Sequence, residues 1–191
     1  NLGGISLLVR HLVDLGHRRI AHIAGSPNSR ATTERLAGYL AALASCGLEI
    51  DSSLVVYGDY SRQSGSRAAE TLMALPKPPT AIVAATDEMA AGCVRALRQQ
   101  GVRVPEDVSV TGFNDVSTAQ YCEPPLTTIR VPLLDLGMRA MQMVLRARNG
   151  ERVELEQVGV ELIVRESTGP AKPAPASDVR IVEPRPQSEG V

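Results

Sequence analysis

VPEDVSVTGFND, residues 104–115, reads as a buried strand that runs into a glycine and then presents two polar side chains, Asn114 and Asp115. PPLTTIR follows at residues 124–130. In an open parallel sheet, ligands bind just beyond the carboxyl ends of the strands. The segment therefore builds core and also aims polar groups at a cleft.

On either side of it, helix-like and strand-like stretches alternate. Ile5, Leu8, Val9, Leu12 and Leu15 make a helical stripe, closed by Gly16. RIAHIA at 19–24 reads as a strand, and residues 32–45 as a helix with Leu36, Leu40 and Leu43 on one side. A strand at 54–57 precedes a helix at 61–75, which Pro76, Pro78 and Pro79 stop. TAIVAA at 80–85 is a near-continuous apolar run, suited to a parallel sheet covered on both faces. Residues 87–100 predict a helix with Ala90, Cys93, Val94 and Leu97 inward. This alternation implies an α/β fold with a doubly wound parallel sheet.

After Phe113 the rhythm changes. A long connection at 114–126 leads to a short strand at 127–131. A helix follows at 133–149, with Leu136, Met141, Val144 and Leu145 as candidate core, and a last strand lies within 157–165. From Gly169 the chain is rich in Pro, Ala and charge, which predicts a disordered tail over 169–191.

The 191 residues are enough to bury a real core, with 43% hydrophobic and 21% charged residues. Net charge is −1, and Arg18-Arg19 is the only adjacent basic pair, so no basic stripe is present to grip a phosphate backbone. Cys46, Cys93 and Cys122 are far apart and form no CxxC pair, which argues for a reducing compartment and three small hydrophobes. No apolar run is long enough to span a membrane, and no signal peptide opens the chain, which does not begin with Met. His11, His17 and His22 lack metal-ligand spacing. Neither a GxSxG elbow nor a GxGxxG fingerprint occurs, so neither an enzyme nor a cofactor is expected.

Three polar pairs fall just past strand ends: Asp59-Tyr60, Thr86-Asp87 and Asn114-Asp115. In a parallel sheet all three share one edge, and Arg35, near the start of its helix, reaches the same edge. An arginine, carboxyl and amide groups, a hydroxyl and an aromatic ring suit a small polar ligand, held by ring stacking and bidentate hydrogen bonds. Plainer roles are available for each residue. Thr86 or Asp87 can cap a helix, Asn114 and Asp115 can form a turn, Arg35 can pair at the surface, and Tyr60 can be a rim aromatic.

Six blocks carry a resemblance: LGHRRIAHIAG (15–25), ERLAGYLAAL (34–43), GDYSRQSG (58–65), PTAIVAATDEMAAGCVRAL (79–97), VPEDVSVTGFND and PPLTTIRVP (124–132). In this order and spacing they resemble the effector-binding core of LacI/GalR transcription regulators, and VRES at 164–167 is similar to that family's closing strand. The resemblance implies a type I periplasmic-binding-protein-like fold of two subdomains joined by crossover strands, with a small-molecule effector in the cleft. It also implies a cytoplasmic homodimer that meets operator DNA through a helix-turn-helix domain outside this chain. Residues 1–16 and 128–156 are then expected in a partial N-terminal subdomain, and 17–127 and 157–168 in the C-terminal one. The implied effector contacts are Arg35, Tyr60, Thr86, Asp87 and Asn114. Thr86 stands where the family usually has Asn, and Asn114 where it usually has Asp, so the polar clamp departs from the pattern. The alternative on this fold is a solute-binding protein of a transport system.

Overall fold

The computed structural model describes residues 1–153 and 157–172. Elements follow in the order α1 (Leu2–Asp14), β1 (Ile20–Ala24), α2 (Arg30–Ser45), β2 (Val55–Tyr57), α3 (Arg62–Met73), β3 (Ala81–Ala84), α4 (Asp87–Gln99), β4 (Ser109–Thr111), α5 (Ser117–Tyr121), β5 (Thr128–Arg130), α6 (Leu133–Arg148) and β6 (Glu161–Ile163). Four strands form one parallel sheet in the order β2-β1-β3-β4. The sheet order and the helices between its strands match the expected α/β architecture. The short α5 lies inside the connection read as irregular.

Strand periodicity sorts side chains to two faces. Ala21, Ile23, Ile82, Ala84 and Val110 join residues of α3 and α4 in one core. Ile20, Ala81, Val83, Phe113 and Ile129 join α1 and α2 in the other. Every residue of β1 and β3 is buried, as the continuous apolar runs imply. Helices α3 and α4 approach to backbone contact. A Cβ on Gly65 would collide with the Met89 carbonyl, and one on Gly92 with the Arg62 carbonyl.

Packing corrects the assignment of residues 1–16 to a separate subdomain. The stripe Ile5, Leu8, Val9 and Leu12 is fully buried against the sheet face that α2 also covers, so α1 belongs to the same body. Strand β5 also stays with that body. It follows bridges from Thr111 to Thr127 and from Asn114 to Arg130, and buries Thr128 and Ile129. It pairs antiparallel with β6. The boundary at residue 128 therefore falls inside a packed strand.

A second correction concerns α6. Its periodicity is helical, but none of its residues is buried, and Leu134, Met141 and Val144 are 80%, 60% and 62% exposed. The candidate core residues Leu136, Met141, Val144 and Leu145 therefore line an uncovered apolar face. Periodicity reports that a face wants covering, and says nothing about what covers it.

Residues 169–172, expected to open a disordered tail, are held. Gly169 donates its N–H to Ser109 Oγ at 3.1 Å and accepts from His17 Nε2 at 3.0 Å. Ala171 N–H donates to the Leu15 carbonyl at 2.8 Å, and Lys172 pairs with Asp107. The rest of the expected tail, 173–191, lies outside the described residues, as do 154–156. Buried His17 packs as a structural residue, also bonded to Thr80 and Ser109. Cys93 is buried, whereas Cys46 and Cys122 are half-buried; all three are free thiols.

Candidate functional site

The parallel sheet places the carboxyl ends of β1, β2, β3 and β4 along one edge. Gly25, Tyr60, Thr86 and Asn114 lie just past them, and Arg35 arrives from the second turn of α2. Arg35 is the centre of this edge. Its Nη1 donates to the carbonyl of Ala85, next to Thr86, and its Nε donates to Asn1 Oδ1 at 3.1 Å. The guanidinium carbon lies 4.1 Å from the centre of the Phe113 ring, next to Asn114. A cation over an aromatic face is attracted by the ring quadrupole. Burial lowers the Arg35 pKa, opposed by Tyr60, Asp87 and Glu34. The alternative of a loose surface ion pair does not hold, because only 8% of the residue is exposed.

Tyr60 packs against Gly25, where a Cβ would strike its ring. Its hydroxyl shares a 2.6 Å hydrogen bond with Thr32 Oγ1, one turn before Arg35 on α2. Tyr60 has φ 70°, and Asn114 and Asp115 have φ 107° and 58°. Left-handed backbone at a non-glycine residue costs about 1–3 kcal/mol and persists only where the surroundings over-determine it. The three such residues among those described all sit on this edge.

Of Thr86 and Asp87, Thr86 takes the capping role. Thr86 is the N-cap of α4; its Oγ1 accepts from Met89 N–H at 3.3 Å while the residue stays half-exposed. Asp87 is fully buried beneath the edge. Its Oδ1 accepts from Thr128 Oγ1 at 2.6 Å and its Oδ2 from Val116 N–H at 2.9 Å. Burial pushes its carboxyl up to about 6, against the pull of these hydrogen bonds and with help from the nearby Asp115 charge. Arg35, Tyr60, Thr86 and Asn114 thus lie along one sheet edge, while Asp87 is buried beneath it.

Asp115 is occupied by two ion pairs. Its side chain is 3% exposed and pairs with Arg130 at 2.8 Å and Arg165 at 2.6 Å. Burial pushes its pKa up, and the two guanidiniums outweigh that and hold it below the usual carboxylate range. Asp59, on the other flank, is an exposed turn former that accepts from Ser61 N–H at 3.0 Å. Sequence reasoning missed Thr32, Phe113 and Gly25 as parts of the site. Phe113 is the only phenylalanine in the chain and precedes Asn114, a signal that was legible. The pairing of Thr32 with Tyr60 across 28 positions was not.

A family model described as a periplasmic binding protein-like domain matches residues 9–168. The chain belongs to that family. It is 40% identical over 162 residues to the HTH-type transcriptional repressor CytR of Escherichia coli (strain K12), covering 84% of this chain and 48% of that protein. It is 40% identical over 169 residues to the HTH-type transcriptional regulator CelR of Thermobifida fusca, covering 87% and 50%. Among solved structures, a transcriptional regulator CelR–cellobiose complex superposes with TM-score 0.82 at 40% identity, over 87% of this chain and 51% of that one. A LacI family transcriptional regulator from Mycobacterium smegmatis gives TM-score 0.84 at 36% identity, over 88% and 64%. The resemblance to LacI/GalR regulators and the expected periplasmic-binding-protein-like fold are both borne out. The chain spans about half the length of the curated relatives it matches. Those relatives are named as transcription regulators. No helix among the described residues is long and apolar enough to cross a membrane.

Proposed function

We propose that this chain is the effector-sensing part of a bacterial LacI-family transcription regulator. A small metabolite, a sugar or related compound, meets Arg35, Tyr60, Thr86 and Asn114 at the strand ends. The observation that supports this reading is their convergence on one sheet edge whose backbone is strained at Tyr60 and Asn114. The likeness to a cellobiose complex makes saccharides the first class to screen. Asn114 is an amide, so it offers a ligand both a donor and an acceptor.

Operator binding in this reading belongs to a helix-turn-helix domain outside the chain, in a cytoplasmic homodimer without catalytic activity. The uncovered face of α6 supports a second subdomain, to which residues 133–153 contribute. The effector then lies between the two bodies, and its binding shifts their closure by no more than its difference in affinity for the two states. The test is a calorimetric screen of neutral sugars, uronic acids and nucleosides on the full-length regulator. A bound compound whose affinity falls at least about tenfold in Arg35→Ala supports the site, given the worth of hydrogen bonds to charged groups. Unchanged affinity in that variant refutes it.

A further inference from the structure

Asn114 and Asp115 are consecutive left-handed residues, neither of them glycine, and something must hold them there. Three groups of contacts do so. Asn114 N–H donates to the Ile129 carbonyl at 2.8 Å. The Asp115 carboxylate is gripped by Arg130 and Arg165. The third anchor comes from below. Asp87 donates its N–H to the Phe113 carbonyl at 3.1 Å and accepts from Val116 N–H at 2.9 Å, so one residue closes both ends of the 113–116 turn. Its other carboxylate oxygen is held by Thr128 of β5. Gly112 permits this approach, because a Cβ there would collide with Asp87 Oδ1.

We infer that Asp87 is a positioning residue for the effector site: its buried carboxylate clamps the Asn114–Asp115 turn to Thr128, and so sets the geometry with which Asn114 meets the effector. This corrects the role that resemblance gave Asp87, since a fully buried carboxylate with both oxygens engaged has no face to offer a ligand. It rests on the reading of Asn114 as an effector contact. It goes beyond that reading by tying the contact to β5, the strand that leads into α6. Force on Asn114 from a bound effector therefore reaches β5 directly, at Ile129 and through the Asp115–Arg130 pair, and also through the Asp87 carboxylate and the Thr128 hydroxyl.

The test compares this chain with Thr128→Val, Asp87→Asn and Asp87→Ala. Amide hydrogen exchange over 113–116 is read against exchange in β1 and β3, which reports global opening. An asparagine at 87 can accept from Val116 N–H and donate to the Thr128 oxygen, so Asp87→Asn keeps turn protection within about twofold of wild type. Thr128→Val removes one hydrogen bond to a charged group and raises turn exchange by about tenfold, with β1 and β3 unchanged. Asp87→Ala raises it further. Equal turn protection in wild type and Thr128→Val overturns the clamp.

The functional arm titrates the full-length regulator with the tightest binder from the panel of sugars, uronic acids and nucleosides, cellobiose included. Thr128→Val, with every proposed contact intact, weakens that compound by about tenfold, whereas Asp87→Asn leaves its affinity near wild type. Full affinity in Thr128→Val overturns the positioning role. Binding that ignores Asn114→Ala refutes the site reading itself, and the exchange data then still decide whether the clamp exists.

Discussion

Replacing Asp87 by asparagine is expected to make the protein more stable relative to wild type as pH rises, the reverse of what losing a useful carboxylate would do. Burial raises the Asp87 carboxyl from 3.8 to about 6 in the folded state. The folded state therefore prefers the protonated form. Below about pH 4 both folded and unfolded chains are protonated and Asp87 costs nothing. Above about pH 6 both are ionised and the folded chain carries the full penalty. At about 1.4 kcal/mol per tenfold step, the penalty is about 3 kcal/mol at most, of which about 2 to 3 kcal/mol develops between pH 4 and pH 8. Asparagine has the same shape and does not titrate. Urea unfolding of both proteins across this range measures the difference directly. Groups remote from Asp87, such as His22, titrate in both proteins and largely cancel. A difference that stays constant with pH, or that moves in favour of wild type as pH rises, refutes the argument.

Three further outcomes are expected. His22 is fully buried against Tyr39 with its pKa lowered from 6.5 to about 4, chiefly by desolvation, so the stability it contributes is complete above pH 6.5 and is lost on acidification toward pH 4. Wild type therefore falls by about 3 kcal/mol relative to His22→Phe between pH 7.5 and 4.5, and parallel denaturation curves would contradict this. Gly92→Ala lies mid-helix, where alanine normally stabilises by about 1 kcal/mol, yet here its Cβ meets the Arg62 carbonyl. A loss of about 1–3 kcal/mol in thermal unfolding is expected, and a gain would show that α3 and α4 part easily. The bare apolar face of α6 is expected to drive self-association of this chain, seen by sedimentation and reduced in Leu134→Glu/Met141→Glu; a monodisperse monomer would contradict it.

Most of the architecture was legible because local signals and tertiary packing agree. TAIVAA became a strand buried on both faces, and Gly16, Gly47 and Gly101 follow their helices with positive φ. The stripe on α1 announced burial but not its partner, so resemblance placed that helix in the wrong body. On α6 an equally regular stripe found nothing among the described residues to cover it. The edge that gathers Arg35, Tyr60, Thr86 and Asn114 followed from strand direction alone. The split between Thr86 and Asp87 did not, since it depends on Thr128, which lies 41 positions away and reaches Asp87 only through the fold. The left-handed backbone of Asn114 was equally hidden, because Asn only permits that conformation and the contacts around it enforce it.

The central claim is that an effector binds at the strand ends around Arg35. Calorimetric titration of the full-length regulator with the tightest compound from the sugar, uronic acid and nucleoside panel tests it, using wild type, Arg35→Ala and Asn114→Ala. The account predicts affinity at least about tenfold weaker in each variant, with unfolding midpoints that still show folded protein. Wild-type affinity in either variant would contradict it.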